Sequence, residues 1–300
     1  MTRHFCSYSD AAYLPRLKAL YASMVRHCGD FVLHVLAWDD AVLDWIDEAP
    51  RNVLGIGTGE FFTFRNNLKL TSLPGPQRSR VEHMWTCGPA HVAMVMERTG
   101  QPVTYIDADL FAFGSPEPFF AEAGDAPAAF CGHNFAHVAD GLPGPTWESH
   151  AGLFGELNVG LCHFRDIRVA QRWAELCREW CYLKPDGVIE VHDTERPSRV
   201  VAQRFGDQKY LEQLVREFGA VVIKNKAAMI GPWNIHTASL QVLDGVPHFG
   251  GVPIGFYHFS GLRLGPHGQW SPSRPEYQIN EAQVDALYVP YLRALEESSR

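Results

Sequence analysis

The sequence predicts an α/β protein: a mostly parallel central sheet flanked by helices, in a single large domain. Three observations carry that expectation. Apolar, β-branched runs alternate with helix-period segments through the first third of the chain. Several of these runs stop abruptly at acidic residues, Asp39-Asp40 and Asp107-Ala108-Asp109. The 300 residues are 46% hydrophobic and 20% charged, enough for a sizeable core and against wholesale disorder.

Taken in order, His4–Ser7 reads as a short strand and Tyr13–His27 as a helix, with Leu14, Leu17, Leu20, Tyr21 and Met24 at helical spacing. FVLHVLAW (31–38) is a second strand, AVLDWIDEA (41–49) a short helix and RNVLGIG (51–57) a third strand. Residues 58–80 read as irregular around Pro74-Gly75-Pro76. A helical pattern over 81–99 carries Gly88-Pro89, which should kink or split it. Strand 102–106 then runs into the Asp-Ala-Asp. Further strands are expected at 128–135, 157–164, 220–224 and 254–259, and helices at 166–182 and 207–218. Long loops are expected at 138–150, 184–206 and 262–276, where acceptor choice would reside; Pro143 to Trp147 suggest a lid or a sugar platform. The organisation expected is one domain over 1–276 and a helical tail over 277–300.

The formal net charge is −8 with no basic run, which disfavours nucleic acid as a partner. The seven cysteines are scattered, and no long apolar segment or secretory signal is evident, so the expected setting is cytoplasmic, with peripheral attachment at the inner face of a membrane left open.

Asp107 and Asp109 follow an apolar strand. In extended chain, residues i and i+2 point the same way, so the two carboxylates would converge. Their mutual repulsion is removed by a hard divalent cation, Mn²⁺ or Mg²⁺, which would keep positions open for phosphate oxygens. The other reading of such a pair is a solvated strand end or a helix cap.

Five segments, in order, resemble a nucleotide-sugar glycosyltransferase of the GT-A fold, similar to glycosyltransferase family 8: FCSYSDAAYLPRLKALYASMVRH, YIDADLFAF, LNVGLCHFR, FGDQKYL and YHFSG. The resemblance spans roughly residues 4–263. It implies a Rossmann-like sheet, a nucleotide-diphosphate sugar donor (a UDP-sugar first), a carbohydrate or cell-surface glycan acceptor, and transfer with retention. It implies Asp107, Asp109 and His258 as metal ligands, and Asp10 and Tyr13 at the nucleoside. Asn158 would meet the donor sugar, Asp207 and Gln208 would flank the reacting carbon, and Gly261 would allow close approach of the diphosphate. The chain departs from the family's Lys-Pro-Trp after the His-x-x-Gly, so Arg263 would take the phosphate-binding role. A further cation is expected upstream of Asp107, with Arg78 and Arg80 available.

Other signals weigh less. GIGTGE (55–60) lacks the third glycine of a dinucleotide loop and the Gly-Lys of a P-loop. Cys177 and Cys181 share a helix face with Trp173, which favours packing. His133 is a candidate substrate contact, and Trp233 a sugar platform or a loop anchor. Two alternatives stand beside the transferase: a nucleotidyltransferase, for which SYSDAAYLPR lacks the glycine-rich signature, and a non-catalytic sugar- or nucleotide-binding protein on the same scaffold.

Overall fold

The computed structural model describes residues 2–67, 79–181, 184–191, 199–265, 269–271 and 277–299. Its strands begin β1 (Arg3–Ser9), β2 (Phe31–Ala37), β3 (Val53–Gly57), β4 (Val103–Ile106), β5 (Leu110–Ala112), β6 (Ala128–Gly132) and β7 (Leu157–Phe164). A seven-stranded sheet has the order Val221–Ile223, β6, β7, β4, β1, β2, β3. β7 runs antiparallel to both its neighbours and every other pairing is parallel. The expected α/β architecture is therefore the observed one. β5 belongs to a separate three-stranded sheet with Met229–Ile230 and Phe256–His258.

Alternation along the strands builds two cores. In β1, Phe5 faces one side with Leu17 and Leu20 of helix α1 (Leu14–His27), while Cys6 faces the other. In β4, Ile106 joins the first side and Tyr105 the second, where Trp173 of a later helix packs. The intervening helices are α2 (Asp40–Glu48), α3 (Thr58–Asn67), α4 (Arg80–Thr99), α5 (Glu117–Ala123), the short α6 (Gly152–Phe154), α7 (Ile167–Trp180) and α8 (Leu211–Phe218).

Four expectations are corrected. Residues 58–67 are helical, not irregular, because Phe61 is fully buried against the α4 side of the sheet; 68–78, with Arg78 and the Pro-Gly-Pro, lie outside the described residues. Helix α4 is not split at Gly88-Pro89. It is closed by a Ser79–Glu82 capping box and a left-handed Gly100, and Gly88 lets it approach Tyr8, whose ring lies 3.1 Å from where a Cβ would stand. Strand β6 stops at Gly132, and Asn134 turns away with φ +53°. Helix α8 begins at Leu211, so Asp207 and Gln208 sit in the turn before it.

Cys177 and Cys181 are buried packing residues beside Trp173. The expected loop 184–206 contains a hairpin of Ile189–Val191 and Arg199–Val201; residues 192–198 between them lie outside the described residues. The tail ends in the helix Val289–Ser298, and its Tyr291 ring stacks on Phe259 with centroids 3.8 Å apart. Residues past 277 thus close the core behind the small sheet. Among the described residues, no helix is long and apolar enough to cross a membrane.

Candidate active site

The acidic pair sits where the chain leaves one sheet for the other. Leu110 N donates to Asp107 O at 3.1 Å, so Asp107-Ala108-Asp109 is a tight turn and not the extended strand end its alternation suggests. The turn delivers β5 to the small sheet, where Phe256–His258 pairs antiparallel to it and sets His258 opposite Leu110. Phe259 N donates to Asp109 O at 2.9 Å and locks the register. His258 Nε2 consequently lies 3.0 Å from Asp109 Oδ1 and 3.6 Å from Asp107 Oδ2. One ligand atom from each of the three lies within 4.8 Å of the others. Two carboxylates and an imidazole converging at that spacing fit a divalent cation.

The neighbours hold this corner rigid. Tyr105 OH donates to Asp107 Oδ1 at 2.6 Å, and Asp107 N donates to Gly160 O of β7 at 3.0 Å. A Cβ at Gly160 would come within 2.7 Å of His258 Nδ1, so only glycine leaves the imidazole its place. Burial works against the His258 imidazolium, yet the carboxylates of Asp109 and Asp107 raise its pKa above the ordinary value. Burial raises that of Asp107 with the help of Asp109, against the pull of His258.

A cleft of about 930 Å³ opens over this corner, at the carboxyl ends of β1 and β4. Lining it are Asp10, Tyr13, His133, Asn158, Asp207, Gln208, Gly261 and Arg263 besides the three ligating groups; Arg80, expected as an upstream cation, is not in the lining. Asp10 Oδ1 accepts from Tyr13 N at 3.1 Å and orders the turn into α1. Arg80 lies 3.5 Å from Asp10 and 3.9 Å from Asp39, which commits it to that exposed turn. Gly261 adopts φ +82° in the turn after His258, and Arg263 is exposed at the rim.

His133 is placed in the wall. Its Nδ1 lies 3.0 Å from Gly155 O and its Nε2 3.1 Å from the Asn158 amide nitrogen. The tautomer that donates to the carbonyl leaves Nε2 to accept from Asn158. Burial pushes the His133 pKa down to about 3, which keeps the ring neutral for that role. Both ring nitrogens are thus spent on the protein, and His133 orients Asn158. Trp233, through Nε1, and Asn234 both donate to His133 O, at 3.0 and 2.8 Å, so Trp233 anchors the wall as well as lining the cleft.

Asp207 is buried opposite Asp107. Burial first, and Asp107 second, push its pKa up to about 8. Gln208 Nε2 donates to Phe154 O at 2.8 Å, and Gln208 lines the cleft.

Arg16 escaped the sequence reading. It reaches from the first turn of α1 into the cleft, lies over Tyr13 at 4.6 Å, and through Nη2 donates to Leu262 O at 3.0 Å. Burial raises the pKa of Asp109, but His258 first and Arg16 after it draw it below the ordinary value. Arg16 and Arg263 are the only Lys or Arg side chains among the described residues lining the cleft. A basic side chain one turn past the Asp10–Tyr13 motif was the available signal.

No protein-family model matches the chain. It is 27% identical, over an alignment of 305 residues, to YfnD of Bacillus subtilis strain 168, covering 97% of this chain and 88% of that one. It is 26% identical to YfnF of the same organism over 275 residues, covering 88% and 83%. Both are uncharacterized proteins. Among solved structures, the galactosyltransferase LgtC, in complex with donor and acceptor sugar analogues, superposes with a TM-score of 0.51 at 16% identity, over 99% of this chain and 96% of that one. The chain has the GT-A fold. The glycosyltransferase GlyE of Streptococcus pneumoniae TIGR4 gives a TM-score of 0.49 at 14% identity, and this chain spans 63% of it. In GT-A terms, the Asp107–Asp109 turn stands at the carboxyl end of a central strand, beside the cleft.

Proposed function

We propose that this chain is a metal-dependent glycosyltransferase that moves a sugar from a nucleoside-diphosphate sugar, a UDP-sugar first, to a carbohydrate acceptor with retention. The observation that supports it best is the convergence of Asp107, Asp109 and His258 on one point of a cleft that also holds Asn158, Asp207 and Gln208. When bound there, Mn²⁺ or Mg²⁺ supplies Lewis-acid stabilisation to the diphosphate oxygens.

The chain's own residues do the rest. Asp107, Asp109 and His258 hold the cation. Asp10 and Tyr13 bind the nucleoside at the head of α1. Arg16 and Arg263 supply the cations for the diphosphate, and a guanidinium matches phosphate oxygens in a fork. Asn158, oriented by His133, binds the donor sugar. In the transfer step the acceptor oxygen bonds to the anomeric carbon as the bond from that carbon to the diphosphate oxygen breaks. The bonding pair stays with the diphosphate, which also takes the acceptor's proton. Asp207 and the Gln208 carbonyl stabilise positive charge on the sugar and orient the acceptor hydroxyl.

The test is thermal unfolding of the full chain with UDP, GDP, CDP and dTDP, each with and without Mn²⁺. A ligand at about 100 times its Kd adds roughly 2.7 kcal/mol to native stability. A shift with one diphosphate that requires the metal supports the reading and names the base. No shift with any of them overturns it.

A further inference from the structure

A second concavity, of about 590 Å³, lies further along the same rim of the sheet. The main cleft stands over β1 and β4. The second cavity stands over the carboxyl end of β6 and the neighbouring edge strand Val221–Ile223, and the first residues of β7, which runs the other way, border both. Phe135 lines both spaces, so the two adjoin there.

The partition is preformed. His133 O is held by two side-chain donors from Trp233 and Asn234, and His133 N donates to Glu156 O at 2.8 Å. Trp147 N donates to Ala136 O at 2.7 Å, which ties the far side of the loop back to this wall. Glu148 accepts from Val138 N at 3.0 Å and stitches the loop to itself.

The lining mixes ring faces with spaced polar groups. Phe135 and Trp147 offer aromatic surface, and Asn134, Asp140, Glu156 and Lys226 offer donors and acceptors. Among the described residues, the Glu156 carboxylate and the Lys226 ammonium make no hydrogen bond or ion pair. Two carboxylates against one ammonium in the lining disfavour a polyanion such as a nucleotide. They suit a neutral ligand rich in hydroxyls, which donate to carboxylates and accept from the ammonium while the sugar's apolar face rests on an aromatic ring.

Building on the transferase reading, we propose that this cavity binds the acceptor units adjoining the one that receives the sugar. The acceptor is then an oligosaccharide or the end of a glycan chain, laid along the rim from the main cleft past Phe135, and not a free monosaccharide.

The experiment measures transfer from the donor identified by the nucleotide screen, with Mn²⁺, to fluorescently labelled acceptors of one to four hexose units in gluco- and galacto-series. kcat/KM should rise roughly tenfold or more between one unit and three, the equivalent of about 1.4 kcal/mol. In Glu156→Gln/Lys226→Ala, both changes at exposed side chains, the acceptor KM for the trisaccharide should rise by a similar factor, with the donor KM unmoved and the thermal midpoint preserved. Rates that ignore acceptor length, or a double variant with an unchanged trisaccharide KM, overturn the proposal. The two possible failures separate: loss of all donor turnover and of metal-dependent nucleotide binding removes the transferase reading and this inference with it, whereas turnover blind to acceptor length removes only the second site.

Discussion

At the acidic corner, the polar atoms come from backbone that is paired on all sides. Asp107 is hydrogen-bonded to β7, Asp109 to the residue after His258, and the imidazole rests over a glycine. At the second cavity the polar atoms come from the loop after Gly132 and from exposed side chains such as Glu156 and Lys226. Both lie on one rim of one sheet. The difference teaches how a scaffold divides its work. Chemistry that fails when an atom moves by an ångström is placed on interlocked strand ends, and recognition that must vary is placed on loops, where a substitution disturbs little packing.

That contrast is open to attack, and the strongest blow falls on the corner. Asp109→Asn should reduce metal-dependent transfer by on the order of 100-fold or more while leaving the fold intact, since it removes a ligand and the charge that faces His258. Activity and circular dichroism together check this; near-normal transfer would remove Asp109 from the metal site.

Gly160→Ala probes the interlock itself. The new methyl would press on His258 Nδ1, so Mn²⁺-dependent binding should fall and stability should drop by about 1–3 kcal/mol, as for other overpacked sites. Isothermal calorimetry with Mn²⁺ and chemical denaturation read the two effects. If neither changes, the corner is more yielding than its contacts suggest.

Arg16→Ala should weaken a nucleoside diphosphate roughly tenfold while barely affecting the free nucleoside, in line with the loss of a charge-assisted hydrogen bond. Arg16→Lys should recover part of that, because it restores charge but not the planar guanidinium that bonds Leu262 O. Equal weakening of nucleoside and diphosphate would make Arg16 a loop anchor alone.

The last test is one of pH on the metal-free protein. Asp207 has a pKa of about 8 in the fold against an ordinary 3.8, so the folded state holds a proton that the unfolded chain has lost. Its contribution to stability is full below the ordinary carboxylate range and is lost as pH rises through about 8. The thermal midpoint should therefore fall from pH 5 to pH 9, and Asp207→Asn should flatten that fall. A variant that melts in parallel with the parent at every pH would show that Asp207 is more solvated than its burial implies.

How much was legible beforehand follows from the range of the interactions. Strands β1, β2 and β4 and helix α1 announce themselves through local periodicity and abrupt polar ends. The Asp10, Asp107, Asn158, Asp207 and His258 segments are readable because each motif is contiguous. Helix α3 was missed because its residues show almost no amphipathic period; burial of Phe61 against the sheet organises it. The sequence marks His133 as a candidate contact and does not say that Gly155 O and Asn158 occupy both its nitrogens, although the residue lines the cleft.

The sequence by itself determined the α/β alternation, the acidic pair after a buried strand and a net negative charge without a basic run. Those are properties of residues close together in the chain, where side-chain period and backbone preference act directly. The family resemblance implied His258 beside the two aspartates, and only the tertiary structure shows how it gets there, through the pairing of Phe256–His258 with β5. The tertiary structure alone brought Arg16 to Leu262, and set a second cavity beside the first, with Phe135 lining both. Such contacts join segments distant in the chain, and their register is set by which faces must be buried together once the sheet has formed.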